Sequence, residues 1–550
     1  MCFVGTIKAM KSHWKNWLIL FLILTAAAGW KAWLMIAEVV PFNSDEAIVA
    51  LMARHILQGE RPIFFYGQAY MGSLDAWLVA AGFALFGQNI WVIRLVQTIL
   101  YIGTIITTFL VLKDWFGEKA GLIGAALLAI PPVNMTLYTT ASLGGYGEAL
   151  LLGNIILWLG WRIRNYLVKQ EIPSAKKLAA LFILFGLVAG LGIWANALTG
   201  IYILPVGLFL AVVMIQYRGW KFCAAGLGWI LLGSAVGASP WIVFAVNHDL
   251  GLLIQEMFGS AVAVESSGYF SRVIQHLVNF VVLGVPAAIG MRPPWEVQWL
   301  ALPLIPFVLV IWTGVMITAI RNIRKNTEAR SVFSLIWGCL GLFVAGFLFT
   351  SFGVDPSGRY FLPAFFFLVL IAAYVFQEWV NRFRWGWIPL AVILVFQIWG
   401  NIQCANVYPP GLTTQFYEPA RVDHREMDDL ISFLKTEQEM RGYTNYWVSY
   451  PLAFQSQEEL IFIPRLPYHP DFRYTERDDR YEPYEQLVNE ADHVAYITTR
   501  NPALEDYLRE KFLEMGLSWK ERKIGEYLVF HQLSHSVRPD SIGLGQTTGP

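Results

Sequence analysis

Long apolar runs alternate with short polar connections over roughly the first 400 residues of the chain. A helix that crosses a membrane needs about 20 consecutive apolar residues, and about eleven stretches have that character. They are residues 17–37, 90–112, 119–135, 147–161, 178–196, 198–217, 222–245, 299–320, 331–350, 360–378 and 387–403. The pattern predicts a mainly α, polytopic membrane helix bundle of about eleven spans.

Two further apolar stretches, 71–87 and 273–290, fit this scheme less simply. Basic residues in short connections accumulate on the cytoplasmic side of a membrane. If neither stretch spans, the basic connections, from the N-terminal lysines to Arg382 and Arg384, all fall on one side. We therefore predict two re-entrant or interfacial helices, a cytoplasmic N-terminus and an external C-terminus in the inner (plasma) membrane.

The composition changes after residue 405. Residues 406–535 are rich in Asp, Glu, Arg, Tyr and Pro and contain no spanning run. Helical patterns alternate there with strand-like runs at 446–449, 460–463, 494–498 and 527–530. We predict a membrane domain over 1–405, a small external (periplasmic) α/β domain over 406–535 and a disordered tail over 536–550.

Composition and charge narrow the class of protein. Hydrophobic residues make up 56% of the chain and charged residues 15%, which is typical of a membrane protein. The formal net charge is zero, with 40 basic and 40 acidic residues, so nothing indicates nucleic-acid binding. The four cysteines are scattered and indicate neither a disulfide framework nor a zinc site.

Two adjacent carboxylates, Asp45 and Glu46, follow the first span directly. Acids in a first turn can simply stabilise a helix start, and Asn43 and Ser44 beside them are capping residues. An aspartate at the lipid–water boundary is equally suited to act as a general base, because partial desolvation raises the pKa of a carboxyl group. Both interpretations stay open from these residues alone.

Two glycine-rich segments on the predicted external face are further candidates. The first carries Gln68, Tyr70 and Asp75, and an acid inside an apolar stretch is either functional or a helix-start residue near the headgroups. The second, 144–148, places Tyr146 and Glu148 among three glycines, which let a backbone approach a ligand closely. The alternatives are a plain flexible turn and a dipole-compensating acid at a helix start.

Arg359 lies at the predicted external start of the tenth span, followed by Tyr360 and Pro363. Positive charge is otherwise scarce on that face. An arginine there either extends its side chain to the lipid headgroups or holds a phosphate with its planar guanidinium group. We favour the phosphate.

The acidic pair after the first span, the acid at the next external turn and Arg359-Tyr360-x-x-Pro363 together resemble the GT-C glycosyltransferases. The likeness is to the protein-mannosyltransferase and aminoarabinose-transferase group (family 39 type), and it covers roughly residues 15–400. It implies that Asp45 is the catalytic base with Glu46 beside it, that Glu148 is the second-loop acid, and that Arg359 contacts the donor phosphate.

The chain departs from that group in three places. Glu148 stands where an Asp is typical, and Gln68-Ala69-Tyr70 stands where Lys-Pro or His-Pro is often found. No paired Asp-x-Asp is present, so the sequence does not decide whether a metal is needed.

The predicted function is transfer of a sugar from a polyprenyl-phosphate donor to an acceptor hydroxyl on the external face, with inversion. Tyr360, Gln68, Tyr70 and Tyr146 complete the predicted donor site, and the acceptor is a glycan, a lipid or a protein. A transporter or flippase of lipid-linked substrates is the alternative from another class. A catalytically inactive sensor or scaffold with the same fold is a third.

Overall fold

The computed structural model describes residues 2–169, 174–247, 251, 268–323, 327–355, 357–407 and 411–545. The chain forms two compact units and passes between them more than once. The first consists of Met1–Val39, Tyr70–Asp75 and Arg94–Leu412, and the second of Val40–Ala69, Ala76–Ile93 and Thr413–Pro550. The domain limits drawn from composition stay a prediction.

The first unit is a helix bundle. Its α-helices are Cys2–Ile36, Ile90–Phe116 (which starts in the second unit), Glu118–Ala129, Val133–Tyr138, Tyr146–Val168, Ala175–Ala195, Gly200–Arg218, Trp220–Gly237, Ser239–Asn247, Tyr269–Val278, Val285–Ala288, Ile305–Ile323, Thr327–Phe349, Leu362–Arg382 and Ile388–Val407. Short 3-10 turns Ala197–Thr199, Leu302–Leu304, Ser351–Val354 and Arg359–Phe361 and the π-helix Asn279–Gly284 connect some of them.

Within the described ranges, ten helices are long and apolar enough to cross a membrane. They are Trp14–Ile36, Ile90–Phe116, Ala175–Ala195, Ala197–Arg218, Trp220–Gly237, Tyr269–Ala288, Leu302–Asn322, Ala329–Phe349, Arg359–Arg382 and Ile388–Asn406. The chain is thus a multi-pass membrane protein, and the predicted polytopic bundle is confirmed.

Two predicted spans look different in the structure. Stretch 119–135 is not one helix, because Pro131 and Pro132 separate the twelve-residue helix Glu118–Ala129 from Val133–Tyr138; proline lacks the N–H that an uninterrupted helix needs. Stretch 147–161 lies in the 23-residue helix Tyr146–Val168, which is long enough to span but is not one of the ten.

The two leftover stretches also differ from each other. The helix within stretch 71–87 is Leu74–Phe86, which has 13 residues, is about 20 Å long and is therefore shorter than a span. A re-entrant or interfacial placement stays a prediction. Stretch 273–290 belongs to Tyr269–Ala288, which is long and apolar enough to cross. Much of the connection that precedes it, 248–250 and 252–267, lies outside the described residues.

Small residues bring two helices of the bundle into close contact. A Cβ at Gly186 would lie 2.0 Å from the carbonyl oxygen of Ile230, and one at Gly233 would lie 2.1 Å from that of Ile183. Each glycine is followed four residues later by another, Gly190 and Gly237, that packs equally closely. Such spacing lets membrane helices gain backbone packing that larger side chains would prevent.

The second unit begins with helix Ser44–Gln58. The Asn43 side chain caps it by accepting the Glu46 N–H at 3.1 Å, and Gly59 ends it with φ 115°, a conformation that favours glycine. Strand β1 (Phe64–Phe65) follows, and β2 (Gln68–Gly72) and the helix Leu74–Phe86 each belong partly to this unit and partly to the first, which holds Tyr70–Asp75. Asn43 is therefore the N-cap of this helix, and the two acids that follow it are not needed for capping.

The C-terminal part of this unit is a small α/β domain, as predicted. Its strands are β3 (Arg441–Tyr443), β4 (Ile461–Ile463), β5 (Ala495–Thr499), β6 (Lys520–Ile524) and β7 (Tyr527–His531), in the order β4-β3-β5-β7-β6. Strand β3 is parallel to β4 and β5, whereas β7 is antiparallel to β5 and β6. The helices are Met427–Thr436, Tyr446–Gln455, Glu482–Asn489 and Pro502–Glu514, with 3-10 turns Glu418–Ala420, Glu476–Asp478 and Pro539–Ile542.

Two local expectations for this domain do not hold. Residues 446–449 were expected to form a strand but start helix Tyr446–Gln455, because the Asn445 side chain accepts the Trp447 N–H at 3.0 Å and caps a helix there. Part of the segment expected to be a disordered tail is packed, since Val537, Ile542 and Leu544 are buried. Residues 546–550 lie outside the described part of the chain.

Candidate functional site

In the first unit, Arg359 forms an ion pair. Its guanidinium group lies 2.6 Å from the Asp355 carboxylate, which also accepts the Ser357 N–H at 2.7 Å. Gly358 adopts φ 84° in this turn, and its carbonyl accepts a hydrogen bond of 2.9 Å from the Asn134 side chain. The turn thereby fixes the guanidinium group at the start of helix Leu362–Arg382.

A second arginine, Arg292, faces the same carboxylate. It is fully buried, and its Nε and Nη1 donate to the carbonyls of Leu283 and Pro293 at 2.8 Å each. Burial lowers the pKa of Arg292 to about 10, and the negative charge of Asp355 opposes that shift. Two guanidinium groups and one carboxylate leave a net charge of +1. Arg292 is not predicted from the sequence, because it lies between apolar residues and prolines in a long connection.

Tyrosines line the space beside this charged cluster. Arg359 lies over the ring of Tyr360 at 5.1 Å and interacts electrostatically with Tyr146 and Tyr138. Tyr146 and Tyr360 also line a cavity of about 310 Å³. The rest of that cavity is almost wholly apolar and includes Ile201, Leu204, Leu342, Phe343, Gly346, Phe347 and Phe352. Tyr146 and Tyr360 therefore connect the charged cluster around Arg359 with the apolar cavity.

Glu148 lies beside Asp75. Both carboxyl groups are buried and interact with each other. Asp75 accepts hydrogen bonds from Gln97 at 2.8 Å and Ser142 at 2.6 Å. Among the described residues, neither carboxyl oxygen of Glu148 has a hydrogen-bond partner of normal geometry. The pair is thus a buried acidic centre.

The glycine turn that precedes Glu148 is required by close packing. Gly144 and Gly145 have φ values of 86° and 84°, and their backbone N–H groups donate to the Asp75 carboxylate. A Cβ at Gly145 would lie 2.6 Å from the Ala195 carbonyl oxygen. Substitution by a larger residue would therefore displace the backbone that surrounds the two acids.

In the second unit, Asp45 is half-buried in the first turn of its helix. Its Oδ1 accepts a hydrogen bond of 2.6 Å from the Tyr446 hydroxyl. Glu46, next to it, is fully buried. Nothing in the sequence pairs Asp45 with Tyr446, because they stand 401 positions apart.

The far end of helix Ser44–Gln58 is held by an ionic network. Arg54 and His55 both contact the Glu458 carboxylate, at 3.2 and 2.9 Å, and Tyr484 donates to it at 2.7 Å. Burial would raise the pKa of Glu458, but the hydrogen bonds from His55, Tyr484 and Arg54 hold it at about 2. The helix that carries Asp45 is therefore anchored at both ends.

The remaining predicted residues fall in or beside strand β2. Gln68 is half-buried there, and Tyr70 belongs to the same strand, with its side chain outside the described part.

The structure thus brings Arg359, Tyr360 and Tyr146 together in the first unit, with Glu148 near Asp75. Asp45, Glu46 and Gln68 belong to the second unit. Within the described ranges, no group of three or more His, Cys, Asp or Glu side chains is placed to hold a metal ion.

Two solved structures have a fold similar to that of this chain. ArnT from Cupriavidus metallidurans aligns over 92% of this chain and 98% of its own, with a TM-score of 0.53 and 15% identity. An oligosaccharyltransferase from Archaeoglobus fulgidus aligns over 88% of this chain and 68% of its own, with a TM-score of 0.52 and 13% identity. The chain has the GT-C fold. The resemblance drawn from the sequence is confirmed at that level.

Sequence comparisons agree with this fold. A family model described as dolichyl-phosphate-mannose-protein mannosyltransferase matches residues 73–244. Undecaprenyl phosphate-α-4-amino-4-deoxy-L-arabinose arabinosyl transferases are 26% identical over 346 residues in Edwardsiella ictaluri and 22% over 315 residues in Pseudomonas aeruginosa. These matches cover 61% and 56% of this chain and 55% and 50% of the relatives. The chain therefore spans about half the length of the curated relatives it matches.

Proposed function

We propose that this chain transfers a sugar from a polyprenyl-phosphate donor to a hydroxyl group of a glycan, lipid or protein acceptor. The observation that carries the proposal is the cavity beside Arg359. A polyprenyl phosphate combines a long apolar chain with one anionic group, and this site combines an apolar cavity with a cluster of net positive charge. The arabinosyl transferases that the chain resembles are named for an undecaprenyl phosphate donor of this class.

In the proposed reaction, Asp45 takes the proton of the acceptor hydroxyl while that oxygen attacks the anomeric carbon. The bond between the anomeric carbon and the phosphate oxygen breaks, and the configuration at that carbon inverts. Polyprenyl phosphate leaves with both electrons of the broken bond. Arg359 and Arg292 stabilise the charge that develops on the phosphate, and such preorganised stabilisation is often the largest part of a rate enhancement.

Donor turnover in the purified full-length protein tests this function. The assay offers the protein, in lipid nanodiscs, a panel of undecaprenyl-phosphate pentoses, aminopentoses and hexoses with a total membrane extract as the acceptor source. Mass spectrometry then measures release of undecaprenyl phosphate. Transfer predicts release that depends on the extract. A flippase would leave every donor intact, and that result would contradict the proposal.

Filling the cavity is expected to weaken donor binding. Gly346 lines the cavity, and a Cβ there would meet no atom within 4 Å, so Gly346→Phe adds a ring without a clash at its base. We expect the affinity for undecaprenyl phosphate to fall about tenfold or more, as burial of a few methylene groups is lost. Binding is measured by the thermal shift that undecaprenyl phosphate induces.

Gly341 supplies the matched control for this variant. It lies in the same helix, Thr327–Phe349, also has open space around its Cβ position, and does not line the cavity. Gly341→Phe should leave the undecaprenyl phosphate affinity unchanged. Equal affinities for the two variants would show that the cavity does not hold the lipid chain.

The proposed orientation places the C-terminal domain on the external side of the inner membrane. It is supported by the distribution of basic residues among the short connections. A reporter that is active only outside the cytoplasm should be active when fused after residue 406, and a cytoplasm-dependent reporter should be inactive. The opposite pair of results would overturn both the orientation and the external location of the reaction.

A further inference from the structure

Tyr446 is bound to the first turn of helix Ser44–Gln58 twice. Its hydroxyl donates to Asp45 Oδ1 at 2.6 Å, and its backbone carbonyl accepts a hydrogen bond from the Ser44 hydroxyl. The residue begins the helix that follows β3, where Asn445 provides the cap. Both ends of Tyr446 are therefore fixed relative to the Asp45 carboxylate.

Tyr446 follows the carboxyl end of strand β3, at a point where the sheet topology reverses. In the chain, β3 is followed by β4 and then β5, but in space β3 lies between them. The connection that leaves β3 runs to β4 on one side, whereas the connection that leaves β5 runs to β6 on the other side. The crevice at the carboxyl ends of two such neighbouring strands is where open α/β sheets bind ligands. Tyr446 lies three residues beyond the end of β3.

We propose that Tyr446 is a positioning residue that orients the Asp45 carboxylate for deprotonation of the acceptor, so that the C-terminal domain supplies part of the catalytic site. This proposal rests on the proposed function, in which Asp45 is the base. With Oδ1 engaged by the phenol, the acceptor proton goes to Oδ2. The phenol itself keeps its proton throughout the reaction.

The environment of Tyr446 suits a permanent donor. Burial raises the pKa of its hydroxyl well above the usual value, and the negative charge of Asp45 adds to that effect. Its ring lies 4.8 Å from that of Trp447 and 5.6 Å from that of Tyr450, and the Arg480 guanidinium group lies over it at 5.5 Å. The ring therefore cannot turn its hydroxyl away from Asp45 without losing this packing.

Other charged and titratable groups also face Asp45. Arg480, Asp478 and Tyr468 interact with it electrostatically, besides Tyr446. Burial raises the pKa of Asp478 to about 7; Arg480 opposes this shift and the charge of Asp45 adds to it. These groups are the same in every variant, so a change confined to the Tyr446 variants isolates the contribution of its hydroxyl.

The test compares Tyr446→Phe with Tyr484→Phe in the donor-turnover assay. Tyr484 is the matched control, because it is also buried and donates at 2.7 Å to a carboxylate, that of Glu458, in the same unit. We expect Tyr446→Phe to lower kcat about tenfold, as a hydrogen bond to a charged group is lost. The apparent KM for the donor should stay the same, because the phenol acts through the Asp45 carboxylate and does not contact the donor. Tyr484→Phe should change neither.

Two further measurements separate positioning from a structural role. In the Asp45→Asn background, Tyr446→Phe should cause no additional loss, because residues that act through one another are not additive. Difluorotyrosine at position 446 keeps both the ring and the hydrogen-bond donor, and it should retain the kcat that Tyr446→Phe loses. This second variant also answers the question if Tyr446→Phe fails to fold.

The Asp45→Asn and Tyr446→Phe variants distinguish failure of the positioning role from failure of the base assignment. If Asp45→Asn is inactive but Tyr446→Phe behaves like Tyr484→Phe, or if the losses add in the double variant, Tyr446 has no positioning role and the base assignment stands. If Asp45→Asn turns over donor like the wild type, the base assignment fails, and the role of Tyr446 fails with it.

Discussion

Asp45→Asn is expected to lower donor turnover by about a hundredfold to ten-thousandfold, the contribution usual for a general base. Asparagine keeps the size of the side chain and an oxygen that can accept the hydrogen bond from Tyr446 at Asp45 Oδ1. Helix capping is unaffected, because Asn43 provides it. The fold should therefore survive, and the loss should appear in kcat with undecaprenyl phosphate affinity unchanged.

Asp428→Asn is the matched control for this variant. Asp428 is also the second residue of its helix, Met427–Thr436, and is exposed. It controls for the loss of a first-turn charge, which stabilises a helix start by roughly 0.3–1 kcal/mol. Glu46→Gln tests the neighbouring acid. Wild-type turnover in Asp45→Asn, with loss in Glu46→Gln, would transfer the role of base to Glu46.

Arg359→Ala is expected to lower both undecaprenyl phosphate affinity and turnover about tenfold to a hundredfold. The physical reason is the loss of a charge-assisted hydrogen bond to the phosphate in a partly buried site. Arg359→Lys should retain part of both, since lysine keeps the charge but not the planar pair of donors. Titration with undecaprenyl phosphate and with the donor separates the effect on affinity from the effect on turnover.

Because Arg359 forms an ion pair with Asp355, the control variants must also change Asp355. Arg359→Ala alone leaves a buried carboxylate without its close partner, which typically costs about 3–5 kcal/mol of stability. The double variant Arg359→Ala/Asp355→Asn removes both charges and isolates the effect on binding, and Asp355→Asn alone reports the change in the carboxylate. Unchanged affinity and turnover in the double variant would refute the phosphate assignment. Arg359 would then serve only as a helix anchor.

The sequence predicts the fold class because the governing signal is local. A run of about twenty apolar residues predicts a membrane span whatever its neighbours in the sequence are. Most spans therefore follow from composition, and the C-terminal α/β domain follows from its periodicity. The errors arise where tertiary contacts or single residues override the average. Pro131 and Pro132 break one expected span, and the Asn445 cap converts an expected strand at Tyr446 into a helix.

The candidate site is less accessible from sequence because its contacts are distant in the chain. Arg359 was recognised from its unusual charge at a helix start, whereas Arg292, hidden between apolar residues and prolines, carries no such signal. The pairing of Glu148 with Asp75 and that of Asp45 with Tyr446 depend on folding alone. Residue type indicated the chemistry, and the three-dimensional structure supplied the partners.

The central claim, attack on the anomeric carbon of a polyprenyl-phosphate sugar, is tested most directly by isotope position. The donor is synthesised with ¹⁸O in the oxygen that bridges the sugar and the phosphate, and the products of wild-type turnover are analysed by mass spectrometry. We expect the label to stay in undecaprenyl phosphate while the sugar is bonded to the acceptor through unlabelled oxygen. Recovery of the label with the sugar would show cleavage at phosphorus and would contradict glycosyl transfer.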